Sequence, residues 1–253
     1  MKIKFKTDDE LLKTHWPPMP AKDMLPSWYT GLQGPRQSYK FDENAVRNIR
    51  ACVPVDDLLN SGYIIRSGYE TRIQEKLINF IPQMTITTAS PTEEKYKQKG
   101  REPGTGFVKT EQEMGLHSSN PVNVYFNEAC PAKIQDKKSP SNYFKFTTDW
   151  SIITPSGYSC LIMQPYYFFR TDVNIMPAII DTDKFHEKIP VVGFMTGTDP
   201  EARFVAGDPL LQIIPFKRDS WESEIEVGSI LKQSKFYLYN IYQRMFHTPK
   251  EFK

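Results

Sequence analysis

The sequence predicts a mainly β protein, on three observations. Between residues 122 and 218 short apolar runs follow one another, and turn residues part them at short intervals: "TPSGY", "DTDKFHEK", "GTDPE" and "AGDP". Prolines number 20 and aromatics make up 13% of the 253 residues. That composition suits strands joined by turns, because proline removes a backbone donor inside a helix. Helical spacing of apolar residues sets in only after Arg218.

Taken in order, "MKIKFK" alternates at period two and predicts a strand. Residues 16–32 carry four prolines and two tryptophans. They predict an extended arm whose Trp16, Trp28 and Tyr29 pack on a neighbouring surface, with a short helix from Pro26 through "SWYTGL". "VPVDDLLNSG" predicts a short helical turn ended by Gly62. "YIIRSGYETRIQ" alternates like a strand broken at Ser67-Gly68, and "KLINFIPQMTITTAS" continues in β-branched residues. Residues 91–115 are charged and glycine-containing, a candidate mobile loop or insertion. Strands return with "VNVYF", "YFKFTTDWSIIT", "YSCLIMQPYYFF", "NIMPAII", "IPVVGFM", "ARFVAG" and "PLLQIIPFKR". From Trp221 onward, Ile230, Leu231, Leu238, Ile241, Tyr242, Met245 and Phe246 recur at helical spacing, and Pro249 marks a stop. The expected division is an N-terminal arm over 1–50, a β domain over 51–220 with its charged insertion at about 91–115, and a C-terminal amphipathic helix over 221–253.

Composition narrows the function classes. With 32 basic and 30 acidic residues the formal net charge is +2, which argues against nucleic acid or an anionic membrane as partner. No apolar run approaches the roughly 20 residues of a membrane helix. The N-terminus lacks the continuous apolar core of a secretion signal and reads as part of the mature fold. Cys52, Cys130 and Cys160 are widely spaced and form no Cys-x-x-Cys pair, so free thiols in a reducing compartment are expected.

Two aspartates, Asp181 and Asp183, stand between apolar runs. Two apart at a strand end, their side chains share a face. They read either as a water-positioning carboxylate with its neighbour or as turn residues bonding nearby amides. His186 beside them is the one arrangement that suggests a metal site; a solvent-facing turn histidine is the other reading. His15, His117 and His247 are isolated, and none of the four has the i, i+4 spacing of a helical metal pair. "EPGTGF" lacks the Gly-Lys-Ser/Thr ending of a phosphate loop. "GLHSSN" carries no nucleophile motif. "QPYYFFR" could stack on a base, but reads better as a buried strand or subunit interface.

"TPSGYSCLIMQP", "MPAIIDTDKF" and "VAGDPLLQIIPF" occur in the order and spacing of the dUTPase and dCTP-deaminase superfamily, the β-clip nucleotide hydrolases, which the second half of the chain resembles. The matching positions are Gly157 and Pro165, then Ile180, Asp181 and Asp183, then Gly207, Asp208 and Gln212. The chain also resembles a family of tailed-phage, cyanophage-like proteins that share the runs "W-x-I-x-T-P-x-G-Y-S" from Trp150 and "Q-x-I-P-F-K-R" from Gln212. The superfamily resemblance implies a β-clip, dUTPase-like double-sheet core and a homotrimer with clefts between subunits. Asp181 then stands where the water-orienting aspartate should be, and Gly207 and Gln212 in the phosphate-facing turn. Other parts differ. Lys184 replaces the sugar-stacking tyrosine, with Phe185 next to it, and His186 replaces the following glycine. Tyr166 and Tyr167 replace the Arg-Ser clamp, with Arg170 a few residues on. The glycine-rich closing arm gives way to the C-terminal segment. A phosphoryl site works by positioning and charge neutralisation, so these losses imply lost turnover.

The resulting expectation is a non-catalytic phage protein. It uses a trimeric scaffold for binding or virion assembly, in the host cytoplasm or the virion, with no cofactor and other phage proteins as further partners. The alternative is a divergent nucleotide-binding protein or nucleotide pyrophosphatase, with Asp181 as base, Asp183, Phe185, Arg170, Gly207 and Gln212 as binding residues, and Mg2+ as cofactor.

Overall fold

The computed structural model describes residues 1–32, 49–68, 70–78, 81–89, 108–109, 143–196 and 201–227. The N-terminal stretch is woven into the body. Strand β1 (Lys4–Lys6) is followed by helix α1 (Glu10–His15), strand β2 (Met19–Pro20) and helix α2 (Ser27–Thr30). Helix α3 (Val53–Asn60) leads into β3 (Tyr63–Arg66), β4 (Glu70–Ile78), β5 (Ile81–Ala89) and the short β6 (Val108–Lys109). Then come β7 (Tyr143–Ile153), β8 (Tyr158–Met163), β9 (Val173–Ile175), β10 (Ala178–Ile180), β11 (Lys188–Met195), β12 (Glu201–Phe204) and β13 (Pro209–Lys217).

Among the described residues these strands build three sheets rather than the expected two. Their orders are β1-β7-β11-β9, β10-β8-β13-β3-β2 and β12-β4-β5-β6. Their strand pairs are antiparallel, as expected when short turns rather than helices join strands. β11 is the clearest case of sequence dictating a face. Its residues alternate half-buried and buried along the whole strand, so Ile189, Val191 and Met195 face the core. Pro190 lacks the ladder donor, and the pairing with β7 shifts register between Lys188 and Pro190.

The core is one contiguous cluster. It takes Phe144, Phe146, Trp150 and Ile152 from β7, Cys160 and Ile162 from β8, Leu211 and Ile213 from β13, and Leu12 from α1. Leu12 is seated by Gly68, where a Cβ would lie 2.0 Å from its Cδ2. The arm aromatics pack on their own chain. Trp28 donates its indole N–H to the Tyr167 carbonyl (2.7 Å), and the buried Tyr29 hydroxyl bonds Asp56 (2.5 Å).

Two other expectations meet a different outcome, and a third falls almost wholly outside the described residues. The aromatic run after Pro165 is not a buried strand: β8 ends at Met163, and Tyr166–Phe168 form a single 3-10 turn with Tyr166 63% and Phe169 57% exposed. Proline and the left-handed Phe169 (φ 52°) end the strand and turn the chain outward. The helix expected from Trp221 is absent over residues 221–227, which carry neither helix nor strand; its remainder lies outside the described residues. Of the insertion at about 91–115, only Val108–Lys109 is described, paired with β5; the rest, Cys130 and the expected strand "VNVYF" lie outside the described residues. No helix among the described residues is long and apolar enough to cross a membrane.

Candidate functional site

The Asp-Thr-Asp turn after β10 folds around its middle residue. Thr182 is buried, its hydroxyl 2.8 Å from that of Thr154 and 3.4 Å from the Cys160 sulfur. Its neighbours therefore both point the other way, onto one face. The Lys184 and Phe185 N–H groups donate to the Asp181 carbonyl (2.9 and 2.8 Å) and close the turn.

What meets the two carboxylates is a guanidinium. Arg218, one residue past β13, follows Lys217, which pairs with Tyr158, so it emerges beside Gly157 and donates its backbone N–H to the Gly157 carbonyl (2.8 Å). Its side chain forks onto Asp183, Nη1 to Oδ1 at 2.9 Å and Nη2 to Oδ2 at 2.5 Å. Nη1 also lies 3.0 Å from Asp181 Oδ1, 2.9 Å from Ser159 Oγ and 3.2 Å from the Tyr158 carbonyl. Ser159 in turn donates to Asp181 Oδ1 (2.7 Å), and the Gly157 N–H donates to Asp183 Oδ2 (2.8 Å). Gly157 sits at φ +84°, a conformation that L side chains avoid, and this is what aims its N–H at the carboxylate.

The two aspartates are unequal. The Asp183 side chain is 4% exposed and that of Asp181 46%. The Arg218 fork, helped by the Gly157 N–H, holds Asp183 far below the usual carboxylate range. The Ser159 hydroxyl, and then Arg218, hold Asp181 below it too. Arg218 is raised by the same partners, Asp183 first.

The other expected site residues lie elsewhere. Gln212 is buried in β13, and its amide nitrogen donates to the Leu58 and Ser61 carbonyls (2.8 and 3.0 Å), so it caps the end of α3. Gly207 begins the turn into β13 at φ +96°, and a Cβ there would lie 2.7 Å from the Trp16 ring. Its N–H donates to the Ser67 carbonyl (2.7 Å), and the Asp208 N–H to the Val205 carbonyl (3.0 Å). Arg170 lies over the Phe204 ring at 3.8 Å, bonds both oxygens of Asp172 and donates to the Arg203 carbonyl. Phe185 is half-buried against the core. His186 is exposed, and among the described residues no group of three or more His, Cys, Asp or Glu is placed to hold a metal ion.

So the turn brings Asp181 and Asp183 together, while Arg170, Gly207 and Gln212 are each engaged in contacts of their own. The residues missed in the sequence are Arg218, Ser159 and the Gly157 N–H. Both side chains close a run that the sequence made conspicuous, "TPSGYS" and "IPFKR". Only the β8–β13 register brings the two runs together.

No family model matches the chain, and no curated protein matches it. Solved structures do. A dUTPase from phage phi11 of S. aureus, a point mutant with a structural Mg(II) ion, is 15% identical over 35% of this chain and 73% of its own, at a TM-score of 0.28. The native dUTPase of EIAV is 16% identical over 34% and 70%, at 0.28. The Staphylococcus bacteriophage 80alpha dUTPase is 14% identical over 35% and 75%, at 0.27. Each likeness is confined to about a third of this chain.

Proposed function

We propose that this chain is a non-catalytic β scaffold, acting as a homo-oligomer in binding or virion assembly, with the Asp181–Asp183 corner as a structural joint. The observation that carries the reading is the Arg218 guanidinium. It occupies the face that both carboxylates share, with Nη1 within 3.2 Å of four oxygens. A carboxylate so neutralised is a weak proton acceptor, whereas a general base works best with a pKa near the operating pH. Groups that could cradle phosphate are engaged as well. Arg170 pairs with Asp172, and the Gly207 and Asp208 N–H groups pair within the protein.

The resemblance implies a trimer, and a virion or host-cytoplasm setting with other phage proteins as partners; these belong to the same proposal. A second reading rests on the 46% exposure of the Asp181 side chain, which leaves it open to a water. In that reading the chain is a divergent nucleotide-binding protein or pyrophosphatase, and magnesium arrives on the nucleotide. Nucleoside triphosphates with magnesium decide between them. The scaffold predicts no turnover and no thermal shift with any nucleotide, and no difference in an Asp181→Asn variant. Turnover that disappears in Asp181→Asn overturns it.

A further inference from the structure

The turn after β8 sets three aromatic rings close together, Tyr166, Tyr167 and Phe169, with Trp28 of α2 against them. Tyr166 is 63% exposed and Phe169 57%. The rings stand steeply to one another in every pair. The angle is 86° between Tyr166 and Tyr167, 67° between Tyr166 and Phe169, and 90° between Tyr167 and Phe169. Their centroids lie 5.4, 6.3 and 6.2 Å apart. The Trp28 ring is 5.3 Å from Phe169 and 6.4 Å from Tyr167, and its N–H ties it to the Tyr167 carbonyl. Gln164 accepts the Ile175 N–H (2.9 Å) and so closes the base of the turn. Aromatic surface is thus fixed in several orientations within one short stretch of chain.

Two features of the turn ask for a ligand. Phe169 is held at φ 52°, a region that bulky L residues avoid. Its ring stays more than half exposed, so burial in its own chain recovers little of that strain. Strain of this kind collects at ligand clamps. The second feature is electrostatic. The face of an aromatic ring is electron-rich and attracts a cation. The fold uses that attraction at three places among the described residues: Arg50 lies on Tyr29, Arg66 on Trp16 and Arg170 on Phe204. Among the described residues no cation lies on Tyr166, Tyr167 or Phe169. Arg170 follows Phe169 directly, but it is drawn onto Phe204 and bonds both oxygens of Asp172.

We propose that the Tyr166–Phe169 turn binds a quaternary ammonium group of the trimethylammonium kind. A flat ligand such as a nucleobase covers one ring face, and steeply inclined rings offer it no second face to stack on. A tetrahedral onium group spreads its charge over methyl groups that point several ways, so it meets inclined faces together. It has no N–H to satisfy and sheds its hydration more readily than a primary ammonium, so rings alone can hold it. A neutral group of the same shape gains the burial but not the attraction to the ring faces. The site goes beyond the scaffold reading and does not depend on it, since neither Asp181 nor Asp183 takes part.

The test is a titration of the full-length chain with choline chloride at constant ionic strength, followed by saturation transfer to the choline methyl protons. Choline should bind with a dissociation constant of about 1 mM. Its uncharged isostere, 3,3-dimethylbutan-1-ol, should bind about tenfold more weakly or worse. Tyr166→Leu and Phe169→Leu keep apolar surface and remove the ring face, and each should weaken choline about tenfold. Tyr166→Phe keeps the face and should bind like wild type. Thermal melts show that the variants are folded, and the comparison of choline with its isostere is made on the wild type whatever the variants do. Sedimentation with phosphatidylcholine vesicles separates the two sources of the group: capture assigns a lipid headgroup, and choline binding without capture assigns a free solute. No transfer to choline, an isostere that binds as tightly, or folded leucine variants that bind like wild type would each overturn the assignment. None of these readouts involves a nucleotide, so the onium site and the scaffold reading fail separately.

Discussion

Strand β13 carries an arginine–aspartate cluster at each end, and the two ends are built to different degrees of closure. At its start, Asp208 accepts the Val205 N–H (2.8 Å), and Arg170 binds Asp172 above the fully buried Phe204. The Trp16 ring covers Gly207, and the Arg66 guanidinium lies 5.2 Å from that ring. At this end the Arg170 guanidinium rests on aromatic surface and is 19% exposed, while Asp172 and Asp208 keep an outer side in water. At the far end, Arg218 closes on Asp183 but leaves nearly half of Asp181 in water. One end is a packed corner that happens to be charged. The other is a charged joint with an open side, and the exposed Trp221, Ile225 and Val227 follow it in the chain.

The sharpest way to break the comparison is to remove the packing at the covered end. Phe204→Ala deletes a fully buried ring and the surface under Arg170, and should cost about 3–5 kcal/mol in chemical denaturation. The Arg218 end, with no such ring beneath its guanidinium among the described residues, should keep its ion pairs in whatever fold remains. Gly207→Ala comes next. The residue sits at φ +96°, and the new methyl would fall 2.7 Å from the Trp16 ring. Backbone strain alone should cost about 1–3 kcal/mol. Trp16→Ala made in the same background should recover the part due to the clash and none of the part due to φ. If Gly207→Ala is neutral, the turn is not held by the Trp16 lid.

Much of this arrangement was legible in the residues, and the failures have physical causes. The alternation of "MKIKFK" and "KIPVVGFM" marked strands because one face of each is buried, and Gly62 marked the end of α3 because it sits at φ +71°. Asp181 and Asp183 were placed on a common face by period two alone. What sat opposite them was hidden, because it depends on β8 pairing with β13, two strands separated by more than forty residues. Gln212 illustrates the same limit in reverse. Its place in a strand was readable, but its amide bonds a helix end about 150 residues away. The helix expected from Trp221 is absent over 221–227, where the helical spacing of the apolar residues from Ile230 onward drew attention from a period-two run.

The smallest expected effect separates the two aspartates from each other. Asp183 is held far below its ordinary value of 3.8, and Asp181 less far below it. A carboxylate depressed in the fold adds stability above its unfolded pKa, and loses it as the pH falls toward its folded pKa, because the unfolded chain takes up the proton first. The protein should therefore weaken below about pH 4, in the range where free carboxylates titrate. Asp183→Asn should flatten much of that acid slope, since it removes the carboxylate that receives both the Arg218 fork and the Gly157 N–H. Asp181→Asn should change the slope little, and its small effect at neutral pH should fade further in salt, because an exposed pair is screened. Thermal melts at pH 3 and pH 7 measure both. If Asp181→Asn flattens the slope as much as Asp183→Asn does, the exposed carboxylate is as much a part of the joint as the buried one, and the open side of the far end loses its meaning.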